Sequence, residues 1–129
     1  MPIEIGLKGH AETIVTESNT AAAVGSGLVP VFATPSMIAL MEQAAASSLL
    51  PYLDENQGSV GIHIDVSHES ATPIGMKVWA ESEVTEINGK LISFTVSAYD
   101  EVGLIGHGTH KRALIYVDRF MAKTQQKKA

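Results

Sequence analysis

A single carboxylate, that of Glu42, lies in an otherwise uncharged and mostly apolar segment that runs from Thr34 to Leu53. Removing a carboxylate from water is costly unless it is paired or hydrogen-bonded. The ordinary alternative is a charge on a helix surface, but the neighbouring Met41 and Ala44 offer little polar surface. Ionisable groups with perturbed pKa values are concentrated at functional sites. We therefore interpret Glu42 as a functional carboxylate whose burial would raise its basicity.

Histidines and one arginine in the second half of the chain are further candidates. His68 shares strand parity with the apolar residues of 62–66, which points it toward the buried face; a core histidine without function is the plain alternative. His110 and Arg112 fall on one strand face, where Arg112 is either an exposed charge or a clamp for an anionic substrate group. His107 and His110 face opposite ways and no cysteine is present, so we expect no metal site and no cofactor.

Thr34 and Gly61 each have a structural explanation as well. The hydroxyl of Thr34 can cap a helix whose first residue is Pro35. A glycine inside a strand, such as Gly61, weakens packing unless another backbone or a ligand approaches closely. Thr34 and Glu42 are eight residues apart, about 12 Å along a regular helix. They therefore act together only if the helix begins later, if substrate bridges them, or if a partner subunit supplies one of them.

Hydrophobic periodicity predicts the elements that position these residues. A helix is predicted from Thr34 to about Leu50, ending at Pro51, and its apolar residues surround most of its circumference. Strands are predicted at 59–68, 76–87, 90–100 and 110–120, with a hairpin turn at Asn88-Gly89. This order predicts an α+β fold, a long central helix wrapped by a curved antiparallel sheet. One such layer leaves much of the helix uncovered, so we expect at least a homodimer.

Composition narrows the class of protein. The 129 residues predict a single domain at 1–121 and a polar tail at 122–129. The net charge of −5 argues against nucleic-acid binding, and the absence of cysteine excludes disulfide and thiolate chemistry. No apolar run approaches the roughly 20 residues of a membrane span, and no secretory leader is apparent. We expect a cytoplasmic protein.

Three blocks of the sequence resemble the fluoroacetyl-CoA thioesterase-like branch of the hot-dog thioesterases: "VFATPSMIALMEQAA", "SVGIHIDVSHESATPIG" and "IGHGTHKRALI". The resemblance extends from about Val31 into the tail. It implies a hot-dog fold and a dimer that hydrolyses acyl-CoA thioesters near the subunit interface. The family's catalytic residues correspond to Thr34, Glu42 and His68. The residues expected at the substrate are Gly61, Arg112, Phe32 and Leu28.

One segment departs from the fluoroacetyl-specific member of that family. There, phenylalanines before the "VFAT" block form a lid, whereas this chain has "AAAVGSGLVP" at 21–30, with Gly25 and Leu28 in their place. The resemblance therefore implies the chemistry but not a preference for fluoroacetyl groups. A non-catalytic acyl-CoA-binding dimer and a hot-dog dehydratase are the alternatives, and the three reactive positions favour the thioesterase. The sequence leaves open whether dimers pair into tetramers.

Overall fold

The computed structural model describes residues 2–128 of the chain, and this part contains five strands and three α-helices. In chain order they are β1 (Lys8–Ile14), α1 (Ala21–Val24), α2 (Thr34–Leu49), β2 (Gln57–His68), β3 (Lys77–Asn88), β4 (Leu91–Asp100), β5 (Leu104–Tyr116) and α3 (Val117–Gln125). Single 3-10 turns lie at 17–19, 50–52 and 126–128. The predicted α+β class is confirmed.

The five strands form one antiparallel sheet in the order β1-β3-β4-β5-β2. Alternate residues of β3 and β4 are buried against α2, because successive side chains of a strand point to opposite faces. The predicted hairpin between these strands turns at Gly89, whose φ of 62° suits glycine. β2 lies at one edge of the sheet, so its outer edge has no strand beside it among the described residues.

The start of α2 differs from the prediction in a way that concerns the site. Ala33, with φ −74° and ψ 142°, is the capping residue, and its carbonyl accepts the first helical hydrogen bond from the amide of Met37 at 2.9 Å. Thr34 is already helical, and its hydroxyl makes no cap. The interpretation of Thr34 as the cap is wrong, because this hydroxyl bonds to His68 instead. The helix ends at Leu49, just before Pro51, as expected.

The sheet covers only one side of α2. The buried residues of this helix are Met37, Leu40, Met41, Ala44, Ala45, Ser48 and Leu49. Apart from Thr34 at the start of the helix, the exposed residues follow a single line at every fourth position, namely Pro35, Ala39, Gln43 and Ser47. The expectation that the helix is buried on nearly all sides is therefore not met within one chain.

The last predicted strand ends earlier than expected. β5 stops at Tyr116, and Val117 begins α3, so the strand prediction is wrong for residues 117–120. The apolar residues Val117, Phe120 and Met121 have helical spacing and lie on one side of α3, where all three are exposed. The predicted boundary between domain and tail, at residues 121 and 122, falls inside α3, and the outermost residues of those two ranges, 1 and 129, lie outside the described part. Within the described part, no helix is long and apolar enough to cross a membrane.

Candidate active site

Glu42 extends from the middle of α2 toward β2 and β5. Its Oε2 atom lies 3.4 Å from Nη1 of Arg112 and 4.0 Å from Nε2 of His110. The side chain of Glu42 is 40% exposed, so the expected burial is not found in the single chain. The carboxylate is instead paired with a guanidinium and open to solvent on its other side.

Arg112 is held in place by hydrogen bonds that it donates to β2 and to its own strand. Its Nε donates to Oγ of Ser59 at 2.8 Å and its Nη2 donates to the carbonyl of Ser59 at 3.1 Å. Nη1 faces both Glu42 and Nε2 of His110, the latter at 3.1 Å. Burial lowers the pKa of Arg112, and the Glu42 carboxylate opposes this shift. Arg112 is thus a buried, charged and fixed group rather than an exposed one.

His110 belongs to the same cluster, although the sequence suggested no role for it beyond sharing a face with Arg112. Its Nδ1 donates to the carbonyl of His63 at 2.8 Å, since a carbonyl can only accept. Its Nε2 must then accept from Arg112, which has only donors. Burial lowers the pKa of His110, and the nearby Arg112 charge lowers it further. A neutral imidazole with its proton on Nδ1 therefore helps to orient the guanidinium of Arg112.

Gly61 lies directly against this cluster. A Cβ atom at this position would overlap Oε2 of Glu42 and would stand 3.2 Å from Cε1 of His110 and 3.4 Å from Nη1 of Arg112. A group does approach Gly61 closely, but it is the side chain of Glu42 rather than the backbone or ligand considered from the sequence. A cavity of about 280 Å³ opens here, lined by Glu42, Gly61, Ile62, His63, Ile64 and His110.

A second cluster forms where the start of α2 meets the end of β2. Oγ1 of Thr34 and Nδ1 of His68 are 2.7 Å apart and share a hydrogen bond. Nε2 of His68 is buried and has no hydrogen-bond partner among residues 2–128. Burial lowers the pKa of His68, an effect that the backbone of Ser70 partly offsets. The ring is therefore fixed through Nδ1, whereas Nε2 is buried without a partner among the described residues.

The predicted parity of β2 is confirmed near His68. Ile64, Val66 and His68 are half-buried, whereas His63 and Asp65 are exposed. The register shifts between Gly61 and His63, so Ile62 is an extra residue and is 49% exposed. The prediction that Ile62 shares the buried face with Ile64 and Val66 is therefore wrong.

Phe32 and Leu28 occupy different surroundings. Phe32 is 1% exposed and packs in the core, and it also lines a cavity of about 210 Å³ together with Thr34 and His68. Leu28 is 96% exposed.

The two clusters do not meet within one chain. Because α2 is continuous from Thr34 to Leu49, Thr34 and Glu42 are separated by about 12 Å along its axis. The possibility that the helix begins later is therefore wrong. No group of three or more histidine, aspartate or glutamate side chains arranged to hold a metal ion is found in the part of the chain described here.

Comparison with known proteins identifies the family. The model of the fluoroacetyl-CoA-specific thioesterase family matches residues 15–118. The chain belongs to this family. A fluoroacetyl-CoA thioesterase from Streptantibioticus cattleyicolor is 45% identical over 97 residues, which cover 75% of this chain and 70% of that protein. The chain is a thioester hydrolase.

Solved structures agree with this family assignment. The fluoroacetyl-CoA thioesterase FlK is 35% identical, with a TM-score of 0.93 over 98% of this chain and 98% of that one. A thioesterase superfamily member from Thermus thermophilus is 30% identical, with a TM-score of 0.90 over 98% of this chain and 94% of that one. The expected hot-dog fold is confirmed.

Proposed function

We propose that this thioesterase hydrolyses acyl-CoA thioesters with Glu42, His68 and Thr34, in an active site that a second copy of the chain completes. The observation that carries the proposal is the carboxylate of Glu42, which Arg112 pairs at 3.4 Å beside the cavity at Gly61. The 45% identical relative acts on fluoroacetyl-CoA, which is an acyl-CoA thioester.

Glu42 supplies the attack on the thioester. The carboxylate either adds to the carbonyl carbon itself or removes a proton from the water that adds. Both routes need an ionised carboxylate with one side open to substrate, and the 40% exposure of the Glu42 side chain supports this role. When water is the nucleophile, breaking the carbon–sulfur bond yields the free acid and the thiolate of CoA. When the carboxylate itself adds, breaking that bond releases the thiolate and leaves an acyl anhydride on Glu42, which a water molecule then hydrolyses to the free acid.

His68 and Thr34 act on the leaving group and on developing negative charge. The hydrogen bond of 2.7 Å between Thr34 and Nδ1 fixes the ring of His68. Nε2 is the nitrogen left to deliver a proton to the departing thiolate, since it has no partner among the described residues. The amino-terminal end of α2, where Thr34 lies, favours negative charge in the transition state.

A second copy brings these groups together. The outer edge of β2 has no neighbouring strand among residues 2–128, and such an edge is a template for pairing with another chain. The exposed Ile62 on β2 and the exposed line of small and polar residues on α2 are surfaces that a partner would cover. The proposal requires that, in an isologous dimer built on this edge, Glu42 of one chain faces His68 of the other.

Release of free thiol from a panel of acyl-CoAs tests the proposal. We expect the unchanged protein to liberate CoA and the Glu42→Gln variant to retain its fold while losing about a hundred-fold or more in kcat/KM. Glu86→Gln is the matched control, because Glu86 is an exposed glutamate of β3 outside both clusters. Retained hydrolysis in Glu42→Gln would make Glu42 structural. Ligand retention without thiol release would indicate a binding protein, and hydration chemistry without thiol release would indicate a dehydratase.

A further inference from the structure

A third cavity, larger than the two at the candidate active site, lies at the end of the sheet where α3 begins. Its volume is about 640 Å³, and it is formed by the ends of β2 and β5, the turn before β4, and one side of α3. The residues that matter for its chemistry are Lys90, Arg119, Lys123, Tyr116, Phe120 and Gln57. Neither Glu42 nor His68 lines this cavity, so the hydrolytic chemistry proposed above leaves it unexplained.

The charge of this cavity is opposite to that of the protein. Three cationic side chains line it and no acidic side chain does. The chain as a whole has a net charge of −5, yet from Val102 to the C-terminus it contains six lysines and arginines against one acid, Asp118. A local excess of positive charge on an acidic protein attracts anionic ligands selectively to that place.

The cavity and the Glu42 cluster share one face of the sheet. Gly61, Ser59 and Gln57 are alternate residues of β2, and they pair in register with Arg112, Leu114 and Tyr116 of β5. Alternate residues of a strand point to the same face, so this double column lies between the Glu42 cluster and the cavity, with Leu114 packed against the hydrophobic core. The four steps along the strand from Arg112 to Tyr116 span about 13 Å. The extended pantetheine arm of an acyl-CoA is long enough to cover that distance.

Two exposed aromatic rings complete the site. Tyr116 is 44% exposed and Phe120 is 36% exposed, and the guanidinium of Arg119 stands 5.3 Å from the centroid of the Tyr116 ring. Aromatic rings stack on nucleobases, and guanidinium and ammonium groups bind phosphate. We infer that this cavity binds the nucleotide portion of CoA, with its phosphates on Lys90, Arg119 and Lys123 and its adenine against Tyr116 or Phe120. The inference rests on the proposed function, since it assigns a place to one part of the same substrate.

Kinetics on two substrates test this assignment. An acyl-CoA and the matching acyl-pantetheine differ only in the nucleotide. In the variant Lys90→Gln/Arg119→Gln/Lys123→Gln, the KM for acyl-CoA should rise roughly ten-fold. The kinetic constants for acyl-pantetheine should stay those of the unchanged protein. The acyl-dephospho-CoA should show a smaller rise if the 3′-phosphate is one of the bound groups. Lys8→Gln/Lys77→Gln is the matched control, because these lysines belong to β1 and β3, away from the cavity.

Calorimetric binding of CoA and of pantetheine separates this inference from the proposed function. The triple variant should lose affinity for CoA and not for pantetheine, whether or not the protein hydrolyses either thioester. Equal effects on both substrates and both ligands, or no effect on either, would overturn the assignment of the nucleotide to this cavity. Absence of hydrolysis alongside a selective loss of CoA binding would overturn the catalytic proposal and leave this assignment standing.

Discussion

Replacing Gly61 with alanine places a methyl group where the carboxylate of Glu42 now lies. The new Cβ atom would overlap Oε2 of Glu42, and it would also be 3.2 Å from Cε1 of His110. Gly61 does not have a positive φ, so its backbone accepts alanine without strain. The substitution therefore acts through one displaced side chain, that of Glu42, rather than through the strand.

The expected effects on stability and on activity differ widely. Turning Glu42 away from its rotamer costs about 0.5–1.5 kcal/mol. Alanine restricts the unfolded chain more than glycine does, and this stabilises the folded protein by about 0.4–1 kcal/mol. The free energy of unfolding should thus change by about 1 kcal/mol or less. Displacing a catalytic carboxylate by about 1 Å lowers the rate roughly a hundred-fold. We expect a stable protein with about one hundredth of the original kcat/KM.

Gly58→Ala is the matched control for this measurement. Gly58 lies on the same strand, and its added Cβ atom would meet only Cγ2 of Val117, at an ordinary 3.5 Å. Denaturant titrations and acyl-CoA hydrolysis are measured on both variants and on the unchanged protein. Gly58→Ala should behave like the unchanged protein in both assays. Full activity in a folded Gly61→Ala variant would refute the reasoning, since Glu42 would then be dispensable in the position observed.

Two further predictions concern pH and substrate choice. Burial lowers the pKa of His68 and His110 from the ordinary value of 6.5, so below pH 6.5 the unfolded chain binds more protons than the folded one. The two histidines should contribute their full stabilisation above pH 6.5, and the free energy of unfolding should fall on acidification below that pH. Denaturant titrations of the variant His68→Gln/His110→Gln should show a weaker dependence of this free energy on pH. An equally steep dependence would show that the two histidines do not cause it. Because Leu28 is 96% exposed and no aromatic ring lies in 21–30, kcat/KM for fluoroacetyl-CoA and acetyl-CoA should differ by less than about ten-fold. A strong preference for the fluorinated thioester would show that selectivity does not require the missing rings.

The fold was accessible to sequence reasoning wherever a pattern was long and local. The alternation in β3 and β4 and the turn at Gly89 lie within one continuous stretch, and both were predicted. The change from β5 to α3 was missed, because Val117 follows the apolar end of the strand directly and Phe120 comes only two charged residues later. Their spacing with Met121 was the available signal of a helix.

The site was less accessible because it depends on contacts between distant segments. A glycine inside a strand suggested that a backbone or a ligand comes close to Gly61, whereas the group that approaches is the side chain of Glu42, nineteen residues earlier in the chain. From the sequence, helix capping was a sufficient explanation for the hydroxyl of Thr34. Only the fold brings His68 next to it. The apolar composition of α2 suggested burial of Glu42, since composition does not reveal which side of a helix the sheet leaves uncovered.

The role of His110 was missed for a related reason. Strand parity placed it on the face of Arg112, which the structure confirms. Its proton, however, is fixed by the carbonyl of His63 on the neighbouring strand. The pairing of β2 with β5 decides that contact, and a single sequence does not give strand pairing.

Subunit complementation tests most directly whether two chains share one active site. The variants Glu42→Gln and His68→Gln are purified separately, each expected to be nearly inactive on acyl-CoA, and are then mixed under conditions that exchange subunits. If Glu42 of one chain acts with His68 of the other, each mixed dimer has one intact site, and random exchange restores about a quarter of the original activity. If both residues act from the same chain, no mixed dimer has an intact site and the mixture stays inactive, which would contradict the shared site.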